Sequence, residues 1–297
     1  MSTDRPQEEE EDVALGVPFD FLILGAQKAG TSWLHARLRE QPGFWLPPDK
    51  DYEYFSYPGA SSPADFRARF GAAPAEAFVG DASASYFWTT GHSDANPGFA
   101  RDLPGAIDAA LGPDAKYIVL LRDPVERAVS AYLHHIAFGS LTVDVPLLEA
   151  PTELGLVEIG RYGRHLEAWL DQVGEQRLCV LPSPGEQPPS EVLGAALRFL
   201  GGQPPVDVPG LEIPVFEGMA RRCNDAGIWV PIDAPGVGEA AGARAEFDGR
   251  KWVRVVDPIT LVALAGEFAL DRQGLRCQLA RAGAEFDWIG RWSHVQN

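Results

Sequence analysis

The N-terminal stretch of the chain is polar, and its character changes at Phe19-Asp20-Phe21-Leu22-Ile23-Leu24, a short and mostly apolar run closed by Gly25. A run of that length without polar alternation fits a strand buried on both faces of a sheet. Beyond Ser32, the residues Trp33, Leu34 and Leu38 recur at helical spacing. The same plan returns at Tyr117-Ile118-Val119-Leu120-Leu121, followed by Arg122-Asp123-Pro124-Val125-Glu126. Asp123 suits an N-cap, Pro124 the first helical position and Glu126 the third, which predicts a helix from there to about residue 138. Further strands are predicted near 77–80 and 177–181, and helices near 160–173, 189–200 and 258–281. Strands alternating with helices predict a three-layer α/β fold, with a mostly parallel central sheet covered on both faces. The Pro- and Gly-rich stretches at 182–190 and 201–215 read as long loops. Residues 216–256 show little periodicity and read as a long irregular segment, of the kind that supplies binding loops or lids. No internal repeat is visible. The economical organisation is a disordered acidic leader over 1–15 and one domain over 16–297.

Composition narrows the chemistry. With 45% hydrophobic residues among 297, the chain is long enough to bury a sizeable core. The 25 basic and 42 acidic residues leave a net charge of −17, which excludes bulk attraction to nucleic acid or to an anionic membrane. A small anion must therefore be held by a local device that works against the overall sign. Cys179, Cys223 and Cys277 are widely spaced and form no CxxC pair, so neither a disulfide framework nor a zinc site is predicted. The N-terminus has no basic and apolar signal pattern, and no run approaches the roughly 18 apolar residues of a membrane span. The expectation is a cytoplasmic protein with neither membrane nor nucleic acid as partner. Its richness in Gly, Ala and Pro, with 2 Met, suits a GC-rich bacterial gene.

The local device is Gly25-Ala26-Gln27-Lys28-Ala29-Gly30-Thr31-Ser32. A glycine-bracketed loop between a buried strand and a helix start aims backbone N–H groups and the positive helix end at one point. The NTPase signature is G-x-x-x-x-G-K-[ST]. Gly25, Gly30 and Ser32 obey it, but Thr31 follows Gly30, and the lysine sits inside the loop as Lys28. A P-loop kinase or NTPase, with Asp81 as a magnesium ligand, and a non-catalytic nucleotide scaffold both remain open on the loop alone.

G-x-x-K-x-G-[ST]-[ST] after a strand resembles the 5′-phosphosulfate loop of the sulfotransferases that use 3′-phosphoadenosine 5′-phosphosulfate (PAPS). The run from Tyr117 through Arg122-Asp123-Pro124 and Arg127 to Ser130 and Tyr132 is similar to that family's 3′-phosphate motif, R-[DN]-P-x-x-R-x-x-S-x-[YF]. Gly80-Asp81-Ala82-Ser83-Ala84-Ser85-Tyr86-Phe87 resembles its G-E-K-S-P-x-Y-[FL] segment. Arg161 to Leu166 with Trp169, and Asp271, Leu275 and Phe286-Asp287-Trp288, resemble its later helices and closing tryptophan. The resemblance spans roughly 19–290 and is nearest to the heparan-sulfate branch and its bacterial relatives. It implies PAPS as co-substrate, 3′-phosphoadenosine 5′-phosphate (PAP) as product, and no metal. Gln27, Lys28, Ala29, Gly30, Thr31 and Ser32 would then hold the phosphosulfate, and Arg122 and Ser130 the 3′-phosphate. Lys28 would also be catalytic, facing the leaving oxygen.

That branch draws its base from a segment like P-x-x-K-E-x-x-[FY]-F, and this chain offers Pro47-Pro48-Asp49-Lys50-Asp51-Tyr52-Glu53-Tyr54-Phe55. Aligned on Lys50 and Phe55, the family's glutamate falls on Asp51, the first choice for base. A position often held by histidine falls on Glu53, the second choice. Ala82 stands where many relatives keep a lysine, so Lys28 acts alone or with Lys50. In an extended segment the two carboxylates would point the same way, and in a helical turn they would diverge.

Trp45, Tyr52, Tyr54, Tyr57, Tyr86 and Trp88 cluster in the segments expected to frame an acceptor cleft. Such walls favour a hydroxylated, partly apolar small molecule or natural product, with a glycan as the alternative. Lys50, Tyr52, Tyr86, Trp88 and His92 are the candidate acceptor contacts. His35 is expected on the outer face of the first helix. His134 and His135 border the site but, as helical neighbours, point about 100° apart and make a poor metal pair. Oligomeric state is not legible in the sequence.

Overall fold

The computed structural model describes residues 19–205, 211, 219–238, 242–284 and 289–292. The leader at 1–15 and the Phe286-Asp287-Trp288 segment lie outside the described residues. The first apolar run forms β1 (Phe21–Gly25), buried along its whole length, and leads through the glycine loop into α1 (Thr31–Arg39). A short β2 (Phe44–Trp45) and α2 (Pro63–Ala68) precede β3 (Phe78–Ala82) and α3 (Leu103–Leu111). The second predicted unit appears as β4 (Lys116–Leu121) and α4 (Pro124–Ala137). Asp123 caps α4 as expected, accepting from the Val125 and Glu126 amides at 2.9 and 3.2 Å. Then come α5 (Tyr162–Val173), β5 (Leu178–Pro182) and α6 (Pro189–Leu200).

The five strands pair in the order β2-β3-β1-β4-β5, and every pairing is parallel. Helices α1 and α6 contact each other, while α3 and α5 form a separate group. This is the expected three-layer α/β fold. Because the strands run the same way, the loops that follow β1, β3, β4 and β5 all leave at one edge, where open α/β sheets bind ligands.

The segment at 216–256 corrects the irregular-loop expectation. Its described part holds β6 (Arg222–Asn224), β7 (Gly227–Pro231), β8 (Arg244–Phe247) and β9 (Arg250–Val256), an antiparallel sheet in the order β6-β7-β9-β8. The strands escape a periodicity test because β6 and β8 have only 3 and 4 residues and β7 is buried at all five positions. The sheet packs with α4: Val125, Val129 and Ile136 share a hydrophobic cluster with Ile228, Val230, Val253 and Val256. The parallel sheet has its own larger cluster, which includes β1, β4 and α5.

The single helix expected over 258–281 is two, α7 (Pro258–Ala269) and α8 (Arg272–Arg281). The break falls at Asp271, whose carboxylate accepts from the Gly163 amide at 2.6 Å and so ties the chain to the start of α5. α8 then lies along α5.

Candidate functional site

A cleft of about 1450 Å³ opens at the edge where the parallel strands end, and the second sheet supplies its far rim. Its floor is the glycine loop. Gly30 caps α1 with φ 104°, and no side chain caps the helix. A Cβ on Gly30 would stand 2.7 Å from Pro184 Cδ, so both its conformation and its neighbours call for glycine. The first turn of α1 thus presents bare amides and the positive end of the helix dipole to the cleft, as an anion site requires. Gln27, Lys28, Gly30, Thr31 and Ser32 all line it; Ala29 is buried beneath. Gln27 Oε1 is buried without a hydrogen-bond partner.

Lys28 has φ 65°, a left-handed conformation uncommon outside glycine. Its ammonium pKa is lowered to about 8, by burial first and then by the charges of Lys50 and Arg122, against a pull from Asp51. Three cations therefore converge before any anion is bound. Arg122 leaves the end of β4 and pairs with Glu126 one turn into α4, at 3.2 Å. The Tyr162 hydroxyl donates to the Arg122 carbonyl at 2.9 Å. Glu126 also pairs with Arg221, from the segment ahead of β6, and Arg221 keeps one buried guanidinium nitrogen without a partner. Ser130 lines the same wall.

Arg221 was not singled out by the sequence. The available signal was the pair Arg221-Arg222 just before Gly227 and Trp229, inside a stretch read only for its glycines and prolines.

The carboxylate segment reaches the cleft with both candidates. Asp51 and Glu53 have φ of 58° and 56°, so the segment is neither the extended strand nor the helical turn considered from sequence. Both side chains line the cleft, as does Lys50, which pairs with Asp51. Asp51 also accepts from the Ala84 amide at 2.8 Å, while its own amide donates to the Ala82 carbonyl at 2.9 Å. Asp51 is the carboxylate whose charge acts on Lys28. Glu53 has its carboxyl pushed up by burial first and by the Asp51 charge second, with a hydrogen bond from Ser85 opposing.

The acceptor candidates divide. Lys50 and Trp88 line the cleft, and Tyr57 joins them. Tyr86 does not: it is 0% exposed, packed on Phe55 in the core. Tyr52 is stacked on Phe66 and lies under the Arg69 guanidinium at 4.6 Å, away from the cleft. Tyr54 stacks on the same Phe66 at 4.2 Å, and Trp45 packs on Phe70. The aromatics of this segment divide between the α2 side, with Trp45, Tyr52 and Tyr54, and the cleft, with Tyr57, which a count of aromatics cannot show. His92 is tied up in its own loop, 2.8 Å from the Phe99 carbonyl, and does not line the cleft. His35 is not on an outer face: it is buried, with Nε2 3.0 Å from the Pro47 carbonyl, because residues 44–48 fold over α1.

Groups not selected from sequence also line the cleft: Phe99, Leu154, Glu153 and Phe138. Phe138 is 64% exposed at the end of α4 and sits 4.5 Å from the His134 ring. Both His134 and His135 line the cleft, and burial followed by the Lys28 charge lowers their pKa, to about 4 for His134. Asp81, the magnesium ligand that a kinase reading needs, faces away. It is 0% exposed and paired with Arg69 at 3.2 Å, and burial still raises its carboxyl to about 6.

No family model matches the chain. A bifunctional heparan sulfate N-deacetylase/N-sulfotransferase 1 of Caenorhabditis briggsae is 28% identical over 281 residues, 86% of this chain and 29% of that protein. The human heparan sulfate glucosamine 3-O-sulfotransferase 3B1 is 32% identical over 115 residues, 34% of this chain and 28% of that protein. The chain thus matches well under half the length of these curated relatives. Among solved structures, a sulfotransferase from Alicyclobacillus acidocaldarius superposes with a TM-score of 0.61 at 21% identity, covering 91% of this chain and 98% of that one.

Proposed function

We propose that this chain, similar in sequence to heparan sulfate sulfotransferases, moves a sulfonate from PAPS to a hydroxyl of a partly apolar small molecule. The observation that carries the reading is a convergence in one cleft. An uncapped helix start with Lys28, the Arg122–Glu126–Arg221 cluster and the Lys50–Asp51 pair all line it.

The residues fit the donor. Bare amides at 30–32 and Lys28 suit the phosphosulfate, and Arg122 with Ser130 suits the 3′-phosphate. One buried Arg221 nitrogen has no partner, and a phosphate oxygen would fill that place. In the reaction, Asp51 takes the proton of the acceptor hydroxyl as its oxygen bonds to sulfur. Lys28 faces the phosphate oxygen from which the sulfur departs and holds the negative charge that builds there. Asp51 is taken as the base rather than Glu53 because its charge is the carboxylate charge that acts on Lys28. Donor chemistry of this kind needs no metal. The kinase alternative loses support, with Thr31 in the lysine position and Asp81 buried within β3 and paired with Arg69.

For the acceptor, Tyr57, Trp88, Phe99, Leu154 and the exposed Phe138 offer apolar surface beside the carboxyl pair. The net charge of −17 works against a polyanionic glycan. The test is transfer of radiolabelled sulfonate from PAPS, without magnesium, to a panel of hydroxylated small molecules and heparan-type oligosaccharides. Turnover of the small molecules is expected. Efficient transfer to the oligosaccharides alone would replace the acceptor reading with a glycan, and no transfer to any hydroxyl would remove the enzyme reading.

A further inference from the structure

The segment that carries Asp51 is gripped from outside the cleft by a side chain that does not itself line it. Arg69 closes the C-terminal end of α2, and its side chain is mostly buried. One terminal guanidinium nitrogen donates to the Asp81 carboxylate at 3.2 Å, and the other donates to the Asp49 carbonyl at 2.7 Å. The guanidinium carbon lies 4.6 Å from the centre of the Tyr52 ring and 5.6 Å from that of Phe70. A single group thus fixes Asp49 and Tyr52, the residues that bracket Lys50-Asp51. An arginine suits the task, because its planar fork serves two acceptors in set directions while it stacks on a ring.

The end of β3 holds Asp51 from the other side. The Asp51 amide donates to the Ala82 carbonyl at 2.9 Å, and the carboxylate accepts from the Ala84 amide at 2.8 Å. Asp81, the anchor of Arg69, directly precedes Ala82 and is fully buried. The contacts close a circuit: from β3 through Asp81 to Arg69, on to Asp49 and Tyr52, and back through Asp51 to Ala82 and Ala84. Asp51 has φ 58°. A left-handed non-glycine residue persists where its surroundings over-determine it, as this circuit does.

We propose that Arg69 is a positioning residue: by holding Asp49 and Tyr52 against the end of β3, it sets the direction in which Asp51 presents its carboxylate to the cleft. The catalytic consequence rests on the sulfotransfer reading; the fixed geometry of Asp51 does not. An arginine that only balanced the buried charge of Asp81 would become dispensable once that charge is gone. A brace would not.

The test therefore removes the charge and the brace separately. Asp81→Asn is neutral and keeps a carbonyl oxygen for Arg69, whereas Arg69→Met/Asp81→Asn leaves neither a brace nor a stranded buried carboxylate. NMR hydrogen exchange of the Asp51 and Ala84 amides follows the segment, and calorimetric titration with PAP follows the donor site. Turnover is measured as sulfonate transfer from PAPS to the small molecule of the acceptor panel that the wild type sulfates fastest. Asp81→Asn is expected to stay close to wild type in all three. In the double variant both amides are expected to exchange faster and kcat to fall roughly 10- to 100-fold below that of Asp81→Asn, the scale of a misplaced catalytic group, with PAP affinity unchanged. A double variant that exchanges and turns over like Asp81→Asn overturns the proposal. So does a loss of PAP affinity as large as the loss of kcat, since the damage is then not confined to the Asp51 segment. Faster exchange in the double variant of a chain whose wild type transfers no sulfonate supports the brace and counts against the sulfotransfer reading alone. Should the double variant not fold, Arg69→Lys, which has no planar fork to span carboxylate and carbonyl, is expected to speed exchange of the same amides and to lower kcat by less. Wild-type exchange and turnover in that variant overturn the proposal.

Discussion

Arg122→Ala isolates the 3′-phosphate contact, and the structure sets its size. The guanidinium is already oriented: one nitrogen lies 3.2 Å from Glu126 and another 3.5 Å from the Lys28 carbonyl. Binding therefore gains the contact without first ordering the side chain. Deleting it removes one charge-assisted hydrogen bond, about 2–3 kcal/mol. Glu126 is not stranded by the change, because Arg221 still pairs with it, so no penalty for an orphaned carboxylate inflates the figure. The affinity for PAP should fall roughly 30- to 150-fold. Affinity for ADP, which has no 3′-phosphate, should change little. Calorimetric titration of both nucleotides without magnesium, at fixed ionic strength, reads the two numbers side by side. An equal loss for both ligands, or none for PAP, would refute the assignment of Arg122.

Lys28→Ala should lower turnover by roughly 100-fold or more while costing less in PAP affinity, which single-turnover kinetics separates from binding. The wild-type kcat/KM should also decline as pH rises through about 8, where Lys28 of the unliganded enzyme loses its proton, and Lys28→Ala should lack that limb. The same depressed pKa means that the unfolded chain holds more protons between about 8 and 10.5, so the unliganded protein should gain stability with rising pH across that window, by chemical denaturation. Asp51→Asn should leave donor affinity nearly intact and cut turnover about 100- to 10,000-fold, with Glu53→Gln less severe. A dead Glu53→Gln beside an active Asp51→Asn would exchange their roles. Gly30→Ala combines a φ of 104° with a contact at 2.7 Å from Pro184, and should cost about 1–3 kcal/mol in denaturant unfolding.

Much of the donor half could be read from the sequence, because its signals are local. A buried strand, a glycine loop and a helix start follow one another within about a dozen residues, and each step has its own residue preference. Arg122 and Ser130 were singled out by the resemblance to a family motif, and they line the cleft together. The acceptor half resisted because its residues are sorted by tertiary packing. Tyr52, Tyr54 and Tyr57 are close neighbours in sequence, yet the first two stack on Phe66 while Tyr57 lines the cleft. Left-handed backbone at Asp51 and Glu53 breaks the alternation that would have predicted their directions. The second sheet was hidden for a different reason. Its strands are short, and β7 lacks an exposed face to alternate with. Arg221 was lost with it.

Helix α4 belongs to the hydrophobic cluster of the second sheet, whereas the glycine loop belongs to that of the parallel sheet. The cleft is therefore a seam between two separately packed cores. A nucleotide that bridges Lys28 to Arg122 and Arg221 acts as a removable cross-link over that seam. By mass action, a ligand at 100 times its dissociation constant adds about 2.7 kcal/mol to the state it bridges. That increment reaches the antiparallel strands as well as the loop it touches, so a fault buried in the second sheet, far from any phosphate, would register as weakened nucleotide binding.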